Sequence, residues 1–181
     1  MEGFEPLIQG CLKNDRKSQE RLYKQLYVPL FCLCRRFFAN DHEAIESVND
    51  GMLRVFENIS AYRPEKGKFF NWVYTIVRNT AIDKFKNRVA SYGQSDPMIG
   101  LEDTEADVSY HPLSSLDGKD LYLLLDRLPP ATRVICNLFY LEGYSIKEIA
   151  SQLSISDGTV KWHLSESRQR LKSIVKRHFN E

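Results

Sequence analysis

Between Ala90 and Gly118 the apolar periodicity that runs through the rest of this chain stops. Ser, Gly, Asp, Glu and Pro take over, a composition that cannot bury enough apolar surface to offset the entropy of ordering it. The chain of 181 residues is therefore expected to fold as two small helical units on a flexible acidic tether. The boundaries read as 1–90, 91–118 and 119–178, and the fold class as all-α.

Charge follows the same division. Residues 1–90 carry 15 Lys and Arg against 11 Asp and Glu, residues 91–120 carry 1 against 7, and residues 121–181 carry 9 against 6. The formal net charge of +1 thus averages two basic ends and an acidic middle, and basic ends suit a polyanion. No apolar run approaches the ~20 residues of a membrane span. The start of the chain lacks the basic and apolar regions of a secretion signal, so a cytoplasmic location is expected. The four cysteines, Cys11, Cys32, Cys34 and Cys136, sit among apolar neighbours without C-x-x-C pairing. They read as small buried hydrophobes rather than metal ligands.

In the first unit, Asp15 is a candidate N-cap for a helix carrying Leu22, Leu26, Leu30 and Phe37, with Pro29 inside it as a possible kink site. Asp41 starts a second helix, with Ala44, Ile45, Val48, Met52, Val55, Phe56 and Ile59 at three- and four-residue steps. Residues 60–68 (SAYRPEKGK) form a loop. A third helix, from Phe69 to about Arg88, places Phe69, Trp72, Val73, Ile76 and Thr80 along one side, so Phe69 and Trp72 read as core. Asn79, Asp83, Lys86 and Asn87 fall on another face by helical arithmetic. Asn79 offers a donor and an acceptor to a base edge. Tyr62 and Tyr74 are the aromatics better placed to meet a base, and Arg63, Lys66, Lys68, Arg78, Lys84, Lys86 and Arg88 supply charge for phosphates.

In the second unit a helix over 119–128 ends at Pro129-Pro130, and another follows to about Leu141. Ser145-Ile146-Lys147-Glu148 is a capping box. It opens a short helix to Leu153, and the turn 154–156 leads into a last helix from Asp157 to about Lys176. Ile149, Ala150, Leu153, Ile155, Val160 and Leu164 supply the shared core of a helix-turn-helix, with Ser154 where glycine is usual. Thr159, Lys161, Trp162, Ser165, Glu166, Arg168 and Gln169 then become the candidates to face DNA. Lys161 and Arg168 suit phosphates, whereas Glu166 repels them and suits only a cytosine amino group. Trp162 suits packing and base contact equally.

The stretch from Leu128-Pro129 through Arg133, Tyr144-Ser145, Glu148-Ile149-Ala150 and Leu153 to Gly158-Thr159-Val160-Lys161 resembles region 4 of the bacterial sigma factors. Phe69-Phe70-Asn71-Trp72-Val73-Tyr74-Thr75-Ile76-Val77-Arg78-Asn79 is similar to that family's F-x-x-W-L-x-x-I-x-x-N in region 2, with Asp83 four residues on. Glu46-Ser47-Val48-Asn49-Asp50-Gly51-Met52 stands where the family carries acid-x-Val-Gln-acid-x-Phe, with Asn49 and Met52 as departures. Having no large insert between the regions, the chain resembles the extracytoplasmic-function group. The resemblance implies docking on the polymerase β′ subunit through Glu46, Asn49, Asp50 and Met52. It implies −10 DNA contact through Tyr62, Arg63, Tyr74, Arg78, Asn79, Asp83 and Lys86, with the loop of Tyr62 over a pocket for a flipped base. It further implies −35 contact through Thr159, Lys161, Trp162, Ser165, Glu166 and Arg168. Trp162, His163 and Glu166 depart from the Ser and Arg usual there. The implied partners are core RNA polymerase (β and β′) and promoter DNA, with an anti-sigma factor as a further one. No cofactor and no metal is expected. A free-standing helix-turn-helix regulator is the alternative, but it gives the Trp72–Asn79 motif no purpose. An enzyme would need a phosphate loop, an H-E-x-x-H pair or a compact carboxylate cluster, and the sequence has none of these.

Overall fold

The computed structural model describes residues 3–91 and 122–179 of the chain. The described residues are helical without strands. They divide into two compact units, residues 3–35 with 42–85, and residues 36–41 with 86–91 and 122–179. The acidic tether expected over 91–118 lies, apart from Ser91, outside the described residues.

In the first unit, α1 (Glu5–Leu12) precedes α2 (Arg16–Arg35), α3 (Asp41–Glu57) and α4 (Phe69–Ser91). The sequence reading missed α1. Its first turn holds Pro6 and Glu5, but its N-cap Phe4 makes no side-chain bond, and only Ile8 and Cys11 are buried. Asn14 takes a left-handed φ of 57° between α1 and α2. Asp15 caps α2 by accepting from the Ser18 N–H at 3.0 Å and hydroxyl at 2.6 Å, which holds its carboxyl below the usual range. Leu22, Leu26, Leu30, Leu33 and Cys34 form the buried stripe of α2. Full burial of each leucine contributes about 1.5–3 kcal/mol. Pro29 is exposed and the helix runs through it.

Helix α3 buries Ala44, Val48, Met52 and Val55, while Ile45 is 37% exposed. Gly51 meets Val77 of α4 so closely that a Cβ there would lie 2.8 Å from Val77 Cγ2 and 3.0 Å from its Cα. The glycine sets the α3–α4 approach. Helix α4 buries Phe69, Val73, Val77, Thr80, Ala81 and Phe85. Trp72 and Ile76, read as core from sequence, are only half-buried. The buried stripe is rotated by about one residue because α3 packs on the Val73–Val77 line.

The second unit begins with a short helix α5 (122–126), then α6 (Pro130–Tyr140), α7 (Ile146–Leu153) and α8 (Asp157–Phe179). Leu125, Leu128 and Cys136 pack together with Leu171. Arg133 is 2% exposed. Its Nε donates to the Leu125 carbonyl at 2.8 Å, and its guanidinium lies 3.5 Å from Asp126. The family-like arginine is thus an internal clamp between α5 and α6. The Ser145 capping box is complete, with the Ser145 N–H donating to Glu148 at 2.8 Å and the Glu148 N–H to the Ser145 hydroxyl at 3.3 Å. Hydrogen bonding from the Ser145 hydroxyl, and after it from the Ser145 N–H, holds the Glu148 carboxyl low. Ser154 takes φ 58°, ψ 43°, closing α7 in the left-handed conformation where glycine costs least. Ser156 caps α8, accepting from the Thr159 N–H at 3.0 Å.

Candidate nucleic-acid interface

In the first unit a cavity of about 420 Å³ opens between the loop after α3 and the first turns of α4. Its walls include Tyr62, Arg63, Lys66, Lys68, Asn71, Trp72 and Thr75. The Tyr62 ring stands edge-on to Phe69 at 5.0 Å and tilted to Trp72 at 5.6 Å. Its hydroxyl donates to the Gly67 carbonyl at 3.0 Å. Gly67 has φ 146°, a conformation that L side chains avoid. Arg63 donates to the Ser60 carbonyl at 2.6 Å and the Tyr62 carbonyl at 3.0 Å, bracing the loop from within. Lys66 and Lys68 are exposed at the rim. Aromatic walls, the Asn71 amide and rim cations form a concave site suited to one unstacked base and its phosphates.

In the second unit, α7, the Ser154 turn and α8 form a helix-turn-helix. Val160, His163, Leu164 and Ser167 of α8 are buried, and at about 100° per residue Gly158, Trp162, Ser165 and Gln169 lie on the opposite side. Burial holds His163 neutral, with its pKa below the ordinary value. Its Nδ1 shares a hydrogen bond of 2.9 Å with the Thr132 hydroxyl. His163 is thus part of the α6–α8 core, not a DNA contact.

The two units match two models of one family in the same order: sigma-70 region 2 over residues 22–90 and sigma-70 region 4 over residues 119–171. The chain belongs to the sigma-70 family. Among curated relatives, the ECF (extracytoplasmic-function) RNA polymerase sigma factor SigE of Mycolicibacterium smegmatis is 29% identical over 168 residues. That match covers 91% of this chain and 64% of its relative, so the chain spans less than two thirds of SigE. ECF sigma factor SigW of Bacillus subtilis is 27% identical over 191 residues, covering 96% of this chain and 99% of SigW. These relatives place the chain in the ECF group. In fold it is similar to the sigma factor RpoE of Bartonella quintana, solved with the anti-sigma factor NepR. There the TM-score is 0.52 and the identity 21%, over 87% of this chain and 96% of that one.

Against this family background, the residues expected at the polymerase separate. Glu46 and Asp50 are about half exposed, and both are bridged by Lys84 of α4, at 2.8 and 3.3 Å. Hydrogen bonding and charge from Lys84 lower the Glu46 pKa. Partial burial pulls the Lys84 pKa down, but the two carboxylates outweigh it and the net shift is upward. Asn49 is exposed and accepts from the Tyr23 hydroxyl at 2.7 Å. Met52 requires correction. It is 1% exposed, packed into the unit behind α3 and not on its surface.

The −10 candidates also divide. Tyr62 and Arg63 line the pocket, but Tyr74 pairs with Phe70 at 6.0 Å and is not among its lining residues. Asn79 lies one turn beyond Thr75 on the Asn71–Thr75 stripe. It is half-buried rather than freely exposed, and its Oδ1 is closed to solvent. Asp83 pairs with Arg54 of α3 at 3.1 Å, tying two helices together. Arg78 and Lys86 are half-buried. The sequence reading missed Asn71, Trp72 and Thr75 as pocket walls. Their signal was available, since Asn71 and Thr75 are four apart and follow the Tyr62 loop directly.

Among the −35 candidates, Lys161 and Arg168 are exposed, and Ser165 is half-buried. Trp162 is 46% exposed. The Thr159 hydroxyl is spent on Ser156 at 2.9 Å. Glu166 accepts from Arg170 at 2.6 Å, so its carboxylate is engaged within α8.

Proposed function

We propose that this chain carries core RNA polymerase to promoters as an ECF sigma factor, unwinding the −10 element at the Tyr62 pocket and gripping the −35 element with α8. The observation that carries this reading is the pairing, in one chain, of an aromatic-walled pocket with a helix-turn-helix, in the order of sigma regions 2 and 4. A free-standing regulator would need only the second.

Opening a promoter unstacks bases at a cost of a few kcal/mol each, which a stacking pocket and phosphate contacts offset. Tyr62 and Trp72 supply the stacking surfaces, Asn71 the polar edge, and Lys66 and Lys68 the phosphate charge. Arg63 and the Tyr62–Gly67 bond hold the loop in shape before DNA arrives. Glu46, Asn49 and Asp50 form the polymerase-docking patch, with Lys84 fixing the orientation of the two acids. Lys161 and Arg168 anchor α8 to phosphates. The chain catalyses no reaction of its own and works in the cytoplasm, where polymerase and promoters lie. An anti-sigma factor, as bound by the Bartonella relative, is a further partner.

Run-off transcription with core polymerase on genomic promoter fragments tests the reading, which requires start-site-specific transcripts only when the chain is added. Glu46→Gln with Asp50→Gln should abolish co-purification with core polymerase. Glutamine is the informative replacement, because lysine would place two further cations beside Lys84. Retained co-purification of the double variant would remove the docking patch.

A further inference from the structure

Helix α8 divides its surface unusually. The side facing away from the core carries Gly158, Trp162, Ser165 and Gln169, all uncharged. Lys161 and Arg168 stand exposed on one flank. On the other flank Glu166 and Arg170 are closed on each other at 2.6 Å. A helix laid in a major groove by such a surface meets phosphates on the cationic flank and base edges along the uncharged line.

Trp162 dominates that line. The residue is 46% exposed, and its ring stands edge-on to His163, with centroids 4.9 Å apart and planes at 80°. His163 is itself fixed, 4% exposed and bonded to Thr132. The ring is therefore braced from beneath and held outward. An indole has one N–H donor and no acceptor, so most of what it offers a base pair is apolar surface. In the major groove the apolar feature of a base pair is the thymine C5 methyl group. Gly158, one turn earlier, adds no side chain beside the ring and leaves the groove wall room to approach.

We propose that Trp162 is a specificity-determining residue of this sigma factor, selecting a thymine in the −35 element through contact of its indole with the C5 methyl group. The proposal rests on the reading of α8 as the −35 helix, and the test separates the two.

Holoenzyme made with the full chain first selects active promoters from a library randomised over the −35 element. Thymines of the selected element are then replaced singly by deoxyuridine, which removes only the methyl group. With the wild-type chain, deoxyuridine at one position should lower run-off transcription about four-fold, the equivalent of burying one methyl group. Trp162→Ala should abolish that penalty while leaving core binding intact, and Trp162→Phe, which keeps an apolar ring, should retain it in part. The proposal is overturned if deoxyuridine is silent at every −35 position with the wild type, or if Trp162→Ala keeps the full penalty. It is equally overturned if Trp162→Ala weakens binding to core polymerase, which would make the ring a protein contact. A wild-type chain that transcribes no library member would bring down the sigma reading, and this proposal with it.

Discussion

In the N-terminal unit, the helices beneath the candidate face are tied at the surface by ion pairs, Arg54–Asp83 and Lys84 with Glu46 and Asp50. In the C-terminal unit the same work is done inside, by the Arg133 clamp and the His163–Thr132 bond. Exposed pairs are worth little each, whereas a buried arginine stripped of its partners is costly. The first unit therefore relies on its apolar stripe for stability far more than on its surface pairs. Among the described residues the second has a smaller core, and it depends on a few buried polar bonds.

Arg133 is where that contrast is easiest to break. The chain has two tryptophans, Trp72 in one unit and Trp162 in the other, so each unit can be followed in a single-Trp background. Arg133→Met should destabilise the second unit by about 3–5 kcal/mol in urea unfolding followed by Trp162. The Trp72 transition should stay where it was. Movement of both together would contradict the separation.

Gly51→Ala is the counterpart in the first unit. Alanine favours the helix by about 1 kcal/mol, but its Cβ would press on Val77 backbone and side chain, and overpacking costs about 1–3 kcal/mol. The Trp72 transition should fall by up to about 2 kcal/mol, and the Trp162 transition should not move.

Acidification sharpens the comparison more gently. The His163 pKa is lowered by burial from an ordinary 6.5, with Glu166 nearby opposing the shift. Above 6.5 both folded and unfolded states hold the ring neutral. As pH falls below that value the unfolded chain takes up the proton first, so the second unit loses stability down to the folded pKa. The Trp162 transition should drop between pH 7.5 and 5.5, and His163→Asn should flatten that slope even though it lowers stability throughout.

Much of the fold was legible because caps and stripes are local. Asp15, Ser145 and Ser154 each announce a helix end through their own hydrogen bonds or backbone conformation. Helix α1 escaped because it buries only two side chains and its cap is a phenylalanine without a capping bond. The site was less legible, since facing depends on where a neighbouring helix packs. A shift of about one residue in the stripe of α4 brought Trp72 into the pocket wall. Met52 already stood on the apolar stripe read for α3, and only the family position put it at the polymerase. The resemblance identified the family, but several of its matched residues, Arg133 and Thr159 among them, serve the scaffold. Specificity falls to Trp162, where the chain departs from the pattern.

The pocket at Tyr62 is the centre of this account, and promoter opening measures it most directly. Permanganate reactivity of −10 thymines should be compared for wild-type and Tyr62→Ala holoenzymes, on a matched promoter and on one carrying a mismatched −10 bubble. Loss of one stacking surface is worth roughly 1–3 kcal/mol, so opening of the matched template should fall about five- to 150-fold. Core binding should be unchanged, and the pre-melted template should recover part of the loss because unpairing is already done. Wild-type opening by Tyr62→Ala on the matched template, or an equal loss on both templates, would contradict the account.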